Sequence, residues 1–258
     1  MSTPRVSVLT PAYNSEQTLP ATVASVLGQT MGDLELIVVD DGSRVPVREV
    51  LQDVRDPRVV IIEHDGNRGL SAARNSALAR AGAPLVSQLD SDDRWEPTYL
   101  SEVLPLFRRV TVGLVYTDAF VTDGENRGHY LPEAGPHPVH GVSGLLPTCF
   151  IPNPTVTMRR SAVIGAGGYD RRLWSTQDWH LYLKLAYRGW LFDYVNLPLA
   201  TYARANGPDS MTFHKRRVQR DIVRMWTIFA VEHPSTIPSH LSVLPVLARG
   251  IRRRLACG

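Results

Sequence analysis

Short apolar runs alternate with segments of helical periodicity over the first half of the chain. Residues 34–39 form a nearly continuous apolar run, which is typical of a strand buried on both faces of a parallel sheet. In residues 16–28 the apolar positions recur at helical spacing, with Ser15 or Asn14 available as the N-cap. Strands that alternate with helices of about a dozen residues predict βαβ units around a parallel sheet.

The alternation extends through residue 117 and then loosens. Residues 123–154 are rich in glycine, proline and histidine, and we predict a long loop or lid there. The pattern gives no firm boundary between separate domains. In chain order, the predicted strands are 6–10, 34–39, 58–63, 85–89, 113–117, 154–159 and 191–195, and the predicted helices are 16–28, 45–54, 70–80, 97–107, 160–165, 177–187 and 215–231.

Composition excludes several classes of protein. The chain has 258 residues, of which 43% are hydrophobic and 21% charged, as is ordinary for a globular protein. Its formal net charge of +3 is too small to indicate nucleic acid binding but fits an anionic small-molecule ligand. Cys149 and Cys257 lie too far apart in sequence to suggest a metal motif or a disulfide framework. Without a visible signal peptide or a run of about 18 apolar residues, the sequence predicts a cytoplasmic protein.

An acidic cluster formed by Asp90, Asp92 and Asp93 follows the apolar residues 83–88. Carboxylates this close repel one another, and they are costly where a strand leaves the core unless a positive group neutralises them. A Mg²⁺ or Mn²⁺ ion bound by one or two carboxylates typically completes its coordination with phosphate oxygens. The cluster therefore suggests a metal that holds a diphosphate. The alternative is a solvated turn whose aspartate caps the next helix.

Polar or small residues follow four of the predicted strands. In open parallel sheets, ligands bind beyond the carboxyl ends of the strands, so these residues would converge on one edge. Four such segments favour a binding site over a set of unrelated turns. In strand order they are Pro11, Ala12, Tyr13 and Asn14; Asp40, Asp41, Gly42 and Ser43; Asn67, Arg68 and Gly69; and Asp90, Ser91, Asp92 and Asp93.

The residue types at these strand ends fit a nucleotide. Tyr13 offers a flat ring on which a base can stack. Asp40 or Asp41 can accept a hydrogen bond from a ring N–H, which would select uracil or thymine, although both are also common turn residues. Arg74 can reach a phosphate bidentately, or it can lie on a solvated helix face. The sequence contains neither the glycine motif of dinucleotide-binding folds nor a P-loop.

Four segments resemble the successive motifs of family 2 glycosyltransferases with the GT-A fold. They are 6–14 (VSVLTPAYN), 38–43 (VVDDGS), 67–75 (NRGLSAARN) and 89–93 (LDSDD), in the family's order and spacing. The resemblance implies an α/β, Rossmann-like fold with a mostly parallel central sheet flanked by helices. It also implies a nucleotide-diphospho-sugar donor, Mn²⁺ or Mg²⁺ as cofactor, and inversion at the anomeric carbon. The pyrimidine interpretation favours a UDP- or dTDP-sugar.

The resemblance also assigns roles to residues. Asp90 and Asp92 resemble the family's D-x-D motif, with Asp92 as the more direct metal ligand. We expect a single GT-A domain, 1–258, in which 1–117 bind the donor and 118–258, with the C-terminal helices, bind the acceptor. The residues expected to bind the nucleotide or the rest of the donor are Pro11, Ala12, Tyr13, Asn14, Asp40, Asp41, Asn67, Gly69, Arg74, Asp90 and Ser91.

An inverting transfer needs a carboxylate within hydrogen-bond reach of the acceptor hydroxyl. Asp178, in the segment Gln177-Asp178-Trp179, resembles the base of the family's Glu-Asp-Trp-like motif, although Gln177 replaces the usual glutamate. Asp178 could instead be an ordinary first-turn helix carboxylate favoured by the helix dipole. Asp170 is a competing carboxylate after a Gly-Gly turn.

Other residues suggest weaker assignments. His214 is a candidate metal ligand by resemblance, or an ordinary surface histidine. A processive synthase is disfavoured, because Arg188-Gly189-Trp190 lacks the Gln-x-x-Arg-Trp spacing. Three histidines of the long loop could contact the acceptor or be solvated, and three tryptophans could be sugar-stacking platforms or core residues. These are His129, His137 and His140, and Trp174, Trp179 and Trp190.

The sequence therefore predicts a metal-dependent, inverting glycosyltransferase that acts on a saccharide, lipid-linked or small-molecule acceptor and binds no nucleic acid. One alternative is a nucleotidyltransferase of nucleotide-sugar synthesis, although that class usually has a glycine-rich segment after its first strand. Another is a non-catalytic nucleotide-sugar binding module. The arginines within 249–254 could also contact anionic lipid on the cytoplasmic face, or belong to a terminal helix that packs on its own domain.

Overall fold

A computed structural model describes residues 4–122, 127–129, 139, 141–203 and 214–236. The strands are β1 (Val6–Ala12), β2 (Leu34–Asp40), β3 (Val59–Glu63), β4 (Leu85–Gln88), β5 (Arg94–Trp95), β6 (Val112–Thr122), β7 (Arg127–His129), β8 (Thr157–Arg159) and β9 (Leu191–Ala203). The α-helices are α1 (Leu19–Leu27), α2 (Val47–Val50), α3 (Leu70–Arg80), α4 (Tyr99–Val103), α5 (Arg160–Gly165), α6 (Gln177–Tyr187) and α7 (Lys215–Glu232). Short 3₁₀ helices span Leu104–Arg108, Asn153–Thr155 and Pro234–Thr236.

All described strands belong to one sheet, in the order β3-β2-β1-β4-β8-β6-β9-β5, with β7 paired to β6. The first four strands in this order are mutually parallel. β8 runs antiparallel to both β4 and β6, whereas β6 and β9 pair in parallel over most of their length. The predicted parallel α/β sheet is therefore confirmed in the first half and becomes mixed in the second.

Alternate residues of the central strands supply two apolar cores, one on each face of the sheet. On β1, Leu9 belongs to the core that contains α3, α5, α6 and α7, whereas Val6 and Val8 belong to the core that contains α1, α2 and α4. β2 divides its apolar residues in the same way. Helices therefore cover both faces, which explains why the strands read as continuous apolar runs.

The predicted start of the first helix is wrong. α1 begins at Leu19 with Thr18 at the N-cap position, rather than Ser15 or Asn14. Asn14 instead adopts a positive φ of 50°, and its Oδ1 accepts a 2.9 Å hydrogen bond from the Arg44 N–H. The side chain that could have capped the helix thus joins two loops at the carboxyl ends of β1 and β2.

Two predicted helices are shorter than expected, and a proline lies at the start of one and within the other. The helix expected over 45–54 is reduced to Val47–Val50, with Pro46 at its N-cap. The helix expected over 97–107 divides into α4 and the 3₁₀ segment Leu104–Arg108. Pro105 has no N–H to donate to the preceding turn, which ends the α-helical pattern there.

The strands near the carboxyl edge extend further than predicted. β6 continues to Thr122 and β9 to Ala203, because they pair with each other beyond irregularities in register near Asp118. β5 was not predicted; its two residues pair with Ala200 and Thr201 of β9. None of the described helices is long and apolar enough to cross a membrane.

Candidate active site

The segments after β1, β2 and β4 meet at one edge of the sheet, as predicted. Ala12 and Asp40 are register partners at the ends of β1 and β2, and the Leu89 N–H donates to the Leu9 carbonyl at 3.1 Å. Parallel strands that end side by side place their following loops together. The candidate donor-binding residues therefore share this edge.

The two aspartates after β2 organise the loops around them. Asp40 accepts hydrogen bonds from the N–H groups of Ser43 and Val47, at 2.8 and 2.9 Å. Asp41 accepts from the Arg68 and Gly69 N–H groups at 2.9 and 2.8 Å. Both carboxylates are buried, so the structure gives each a role in loop geometry, and base recognition by either stays a prediction.

Glycine is required between these loops. Gly42 has a φ of +79°, and a Cβ there would lie 2.6 Å from the backbone of Gly66. Asn14 completes the junction, since its N–H donates to Ser43 Oγ at 3.1 Å. Tyr13 remains 51% exposed beside this framework, which leaves its ring open to stack on a planar ligand. Asn67 is exposed near the same edge.

Arg74 does not lie on a solvated helix face. Its side chain is 1% exposed, and its Nη2 donates to Asp90 Oδ1 at 2.6 Å. The guanidinium carbon also lies 5.5 Å from the centre of the Tyr169 ring. Burial alone would lower the pKa of Arg74, but the charges of Asp90, Tyr169 and Asp178 keep it above its ordinary value.

Asp90 is held from its other side by a residue that sequence analysis missed. Asn153 Nδ2 donates to Asp90 Oδ2 at 2.6 Å, and Asn153 Oδ1 accepts from the buried Gln88 Nε2. Gln88 Oε1 in turn accepts from the Tyr169 hydroxyl at 2.8 Å. Asn153 belongs to the predicted long loop, and no local pattern signals its contact with the acidic cluster.

The three aspartates of the acidic cluster differ in environment. Asp93 is fully buried, and its Oδ1 accepts from the Ala203 N–H of β9 at 2.9 Å. Asp92 is partly exposed, and burial together with the charge of Asp90 raises its pKa to about 6. The Ser91 and Asp93 carbonyls both accept from Thr22 Oγ1, which fixes the backbone of the turn.

The acidic cluster fits a cation that is shared with phosphate. Among the described residues, no three His, Cys, Asp or Glu side chains converge into a cation site. Burial, and after it the charge of Asp90, raises the pKa of Asp92, and a nearby cation would favour its charged form. Asp90 is already hydrogen-bonded to Arg74 and Asn153. Such a donor set requires further ligands, which suits Mg²⁺ or Mn²⁺ on a diphosphate.

Asp178 is the second residue of α6 and faces the strand-end site. Its Oδ1 accepts from the Trp179 N–H at 2.7 Å. Burial raises the pKa of the Asp178 carboxyl above its ordinary value, with Arg74 opposing and Asp90 adding to this shift. The charges of Arg74 and Asp90 therefore act on Asp178, although both residues are far from it in sequence. A raised pKa moves a carboxylate towards the range useful for a general base.

Asp170, the competing carboxylate, has a different environment. Arg172 forms a 2.6 Å ion pair with it, and although burial would raise the pKa of Asp170, its hydrogen bonds to Arg172 hold that pKa below its ordinary value. Such a carboxylate is a weaker base than Asp178.

The remaining candidates are distributed over the second half of the fold. Trp179 is 7% exposed and donates from its ring N–H to the Leu145 carbonyl, so it is a core residue. Trp174 and Trp190 are partly buried. His214 precedes α7, is exposed, and lies edge-on to Trp174 with ring centroids 5.8 Å apart. Four predictions lie outside the described residues or side chains: His137, His140, the His129 side chain and the arginines within 249–254.

Two relatives illustrate the sequence similarity. The chain is 33% identical over 116 residues to the UDP-Glc:alpha-D-GlcNAc-diphosphoundecaprenol beta-1,3-glucosyltransferase WfaP of Escherichia coli, covering 45% of this chain and 46% of that protein. It is 28% identical over 221 residues to chondroitin synthase of Escherichia coli, covering 84% of this chain and 31% of that protein. The chain thus spans less than half the length of these relatives.

Solved structures support the fold. The mannosyltransferase PcManGT from Pyrobaculum calidifontis, in complex with GDP-Man and Mn²⁺, aligns with a TM-score of 0.67 and 19% identity, covering 100% of this chain and 77% of that one. S. aureus TarS 1-349, in complex with UDP-GlcNAc, aligns with a TM-score of 0.67 and 19% identity, covering 79% of this chain and 59% of that one. The predicted GT-A fold is confirmed.

The family assignment follows from a match over more than half of the chain. Residues 7–165 match the model of glycosyl transferase family 2. This range contains the loops after β1, β2 and β4, Arg74 and Asn153, and so most of the site described above. The chain belongs to glycosyl transferase family 2.

Proposed function

We propose that this chain transfers a sugar from a nucleotide-diphospho-sugar to an acceptor hydroxyl, with inversion at the anomeric carbon and Asp178 as general base. The observation that carries this proposal is the electrostatic influence of Arg74 and Asp90 on the Asp178 carboxyl, since these two residues form a 2.6 Å ion pair at the carboxyl edge of the sheet. A base on one side and an anion-binding residue on the other are what an inverting displacement requires.

The bond changes assign a task to each residue. The acceptor oxygen forms a bond to the anomeric carbon while the bond from that carbon to the diphosphate oxygen breaks. The electron pair of the broken bond leaves with the diphosphate. The hydroxyl proton passes to Asp178, whose raised pKa favours taking it. Arg74 supplies positive charge near the leaving group, because Nε and Nη1 have no hydrogen-bond partner among the described residues.

Asp92 and Asp90 would hold the Mn²⁺ or Mg²⁺ ion. When bound, such an ion neutralises the negative charge that develops on the leaving diphosphate. Asp90 also keeps Arg74 in place through their 2.6 Å contact. Removing either carboxylate would therefore disturb the electrostatics of the edge.

The nucleoside would stack on Tyr13, with the backbone around Pro11, Ala12 and Asn14 forming the wall beside it. The pyrimidine interpretation, and the UDP-GlcNAc and UDP-Glc named for TarS and WfaP, support a uridine donor. The GDP-Man of PcManGT is the competing precedent. The diphosphoundecaprenol in the name of WfaP supports a lipid-linked saccharide as acceptor, bound by residues of 118–258 within a single domain.

The alternatives receive less support. The family match favours sugar transfer over nucleotidyl transfer, and no glycine-rich phosphate loop follows β1 in the sequence. A binding module without activity would not need a carboxylate whose pKa is raised by burial beside the charges of Arg74 and Asp90.

Calorimetric titration with UDP, dTDP, GDP and CDP, each with and without Mn²⁺, tests the donor site. We expect one pyrimidine nucleoside diphosphate to bind more tightly than the others, and more tightly with Mn²⁺. Folded protein that binds none of the four would contradict the proposal. An enzyme should slowly release the nucleoside diphosphate from the matching UDP- or dTDP-sugar with water as the acceptor. A binding module should not, so this assay distinguishes the two.

A further inference from the structure

Asp221 is a buried carboxylate in the second turn of α7 that faces the start of α6. It is 7% exposed. Its Oδ2 accepts hydrogen bonds from the N–H of Ser175 at 2.7 Å and of Thr176 at 3.1 Å. The hydroxyls of the same two residues donate to it at 3.0 Å each, and the Trp174 N–H adds a longer bond. One carboxylate thus binds three consecutive residues.

This arrangement replaces the ordinary cap of α6. Thr176 occupies the N-cap position, where a threonine hydroxyl usually accepts a hydrogen bond from its own helix. In α6 no side-chain cap bond forms, and the Thr176 hydroxyl donates its hydrogen to Asp221. The start of α6 is therefore held from another helix, and the negative charge lies at the favourable end of the α6 dipole.

The consequence falls on Asp178, two residues after Thr176. The Asp178 carboxylate is bonded to the Trp179 N–H within the first turn of α6, so it moves with that turn. Its distance from the Arg74–Asp90 pair therefore depends on where Ser175 and Thr176 are held. A small displacement of a reacting group is enough to slow catalysis substantially.

A second contact from α7 holds the same segment. The Arg217 guanidinium lies 3.9 Å from the centre of the Trp174 ring, which is close enough for a favourable cation–π interaction. Arg217 lies one turn before Asp221 on α7. The helix therefore contacts the backbone of residues 174–176 through Asp221 and the side chain of Trp174 through Arg217.

We propose that Asp221 is a positioning residue that fixes the start of α6 and with it the orientation of Asp178. This inference rests on the function proposed above, in which Asp178 takes the acceptor proton. Its chemical basis is independent of that function, since the five donor groups bound by Asp221 are observed directly.

Two variants of Asp221 and one control test this role. Asp221→Ala removes every acceptor, whereas Asp221→Asn keeps one oxygen of nearly the same position. Met225→Ala is the matched control, because Met225 lies one turn further along α7 and is fully buried in the apolar core. The measurements are the kcat and KM of donor hydrolysis, the Kd of the preferred nucleoside diphosphate, and hydrogen exchange of the Ser175 and Thr176 amides.

We expect Asp221→Ala to lower kcat by about tenfold to hundredfold while the Kd of the diphosphate changes by less than about twofold. Asp221→Asn should recover part of kcat. Exchange at Ser175 and Thr176 should accelerate by about tenfold in Asp221→Ala relative to Met225→Ala. A purely structural role would instead lower kcat equally in Asp221→Ala and Met225→Ala.

Two results would overturn the proposal. Folded Asp221→Ala with the wild-type kcat would show that Asp178 does not depend on this carboxylate. Unchanged exchange at Ser175 and Thr176 would show that the segment is held by other contacts, whether or not the protein is an enzyme. Failure of the wild-type protein to bind any nucleoside diphosphate is a different outcome, because it contradicts the proposed function itself and removes the reaction for which Asp178 would be positioned.

Discussion

The strand-end site and the surroundings of His180 on α6 both hold ionisable groups away from water, but they compensate these groups differently. At the strand ends, Asp41 and Asp90 accept short hydrogen bonds from backbone N–H groups and from the buried Arg74. Between the helices, the fully buried His180 lies 3.7 Å from Asp170 and 3.8 Å from Glu232. Neither of its ring nitrogens has a hydrogen-bond partner among the described residues.

This difference indicates that charged hydrogen bonds fix the geometry of the strand-end site, whereas stability around His180 is sensitive to protonation. Charge-assisted hydrogen bonds are stronger than neutral ones and restrict geometry, so the strand-end site is held ready for an anionic ligand. Burial without a hydrogen bond disfavours the charged form of an imidazole. The free energy needed to keep it neutral therefore grows as the pH falls below its ordinary pKa. Mutations at the strand ends should therefore affect binding and stability together, whereas those around His180 should change how stability depends on pH.

Arg74→Ala should have the largest effect. It leaves Asp90 without its cation beside Asp92 and Asp178, and breaking a buried ion pair costs about 3–5 kcal/mol. We expect a value near the lower end, because the Asp90 side chain is 26% exposed. Denaturant unfolding gives the free energy, and calorimetry should show loss of diphosphate binding. Arg80→Ala, at the exposed end of the same helix, should change stability by no more than about 0.5 kcal/mol; equal effects of the two variants would contradict the electrostatic account.

Asp178→Asn should abolish turnover without unfolding the protein. Removing a general base typically lowers kcat by about 10²–10⁴-fold, while the Kd of the diphosphate should stay close to that of the wild type. Burial raises the pKa of Asp178, so the folded state disfavours its charge, and a neutral amide should not reduce the free energy of unfolding at pH 7. In the wild type, kcat should fall as the pH drops through this raised pKa. Full activity of the variant would disprove the assignment of Asp178.

The elements that were predictable from the sequence are those with a local cause. α3 spans the predicted residues 70–80, because its alanine-rich sequence favours a helix locally. The loops after β1, β2 and β4 were recognisable because each motif follows its own strand. The family resemblance added Asp178, whose position on α6 agrees with the predicted helix over 177–187.

The contacts that were not predictable join distant segments. Asn153 reaches Asp90 from the start of a short 3₁₀ helix, and Asp221 reaches Thr176 from α7. Neither has a sequence pattern around it, because a single amide or carboxylate on a surface-like helix gives no periodic signal. The long pairing of β6 with β9 was missed for the same reason, since it depends on the partner strand rather than on either sequence alone.

His180 should make stability depend on pH. Burial lowers its pKa from 6.5 to about 4 in the folded protein, so the unfolded chain binds more protons between these values. The contribution of His180 to the free energy of unfolding is therefore fully present above pH 6.5. As the pH falls towards 4, up to about 3 kcal/mol of it is lost. Denaturant unfolding at about eight pH values between 7.5 and 4 measures how the free energy of unfolding changes with pH.

His180→Gln isolates that contribution from other groups. The contribution of Asp92 to the pH dependence of stability has the opposite sign over part of the same range. Burial raises its pKa to about 6, so the folded state binds a proton that the unfolded chain does not. His233, whose pKa is lowered by burial, adds to the effect of His180. Both groups remain in the variant, so the difference between the two proteins reports His180 alone. An identical slope in the two proteins would contradict the buried, neutral imidazole.

Among the variants expected to destabilise the protein at pH 7, Arg172→Ala should have the smallest effect. Its guanidinium pairs with Asp170 at 2.6 Å and with Glu232, but the side chain is 52% exposed. The Asp170 side chain is only 9% exposed, but water reaches the guanidinium that pairs with it, so we expect a cost of about 1 kcal/mol. Arg172 also helps to lower the pKa of His180, so its removal should raise that pKa towards 6.5 and make the loss of stability between pH 7 and 4 shallower. A steeper loss of stability with falling pH in Arg172→Ala would mean that Asp170 and Glu232 do not raise the pKa of His180 as their distances indicate. Packing rather than charge would then govern the surroundings of His180.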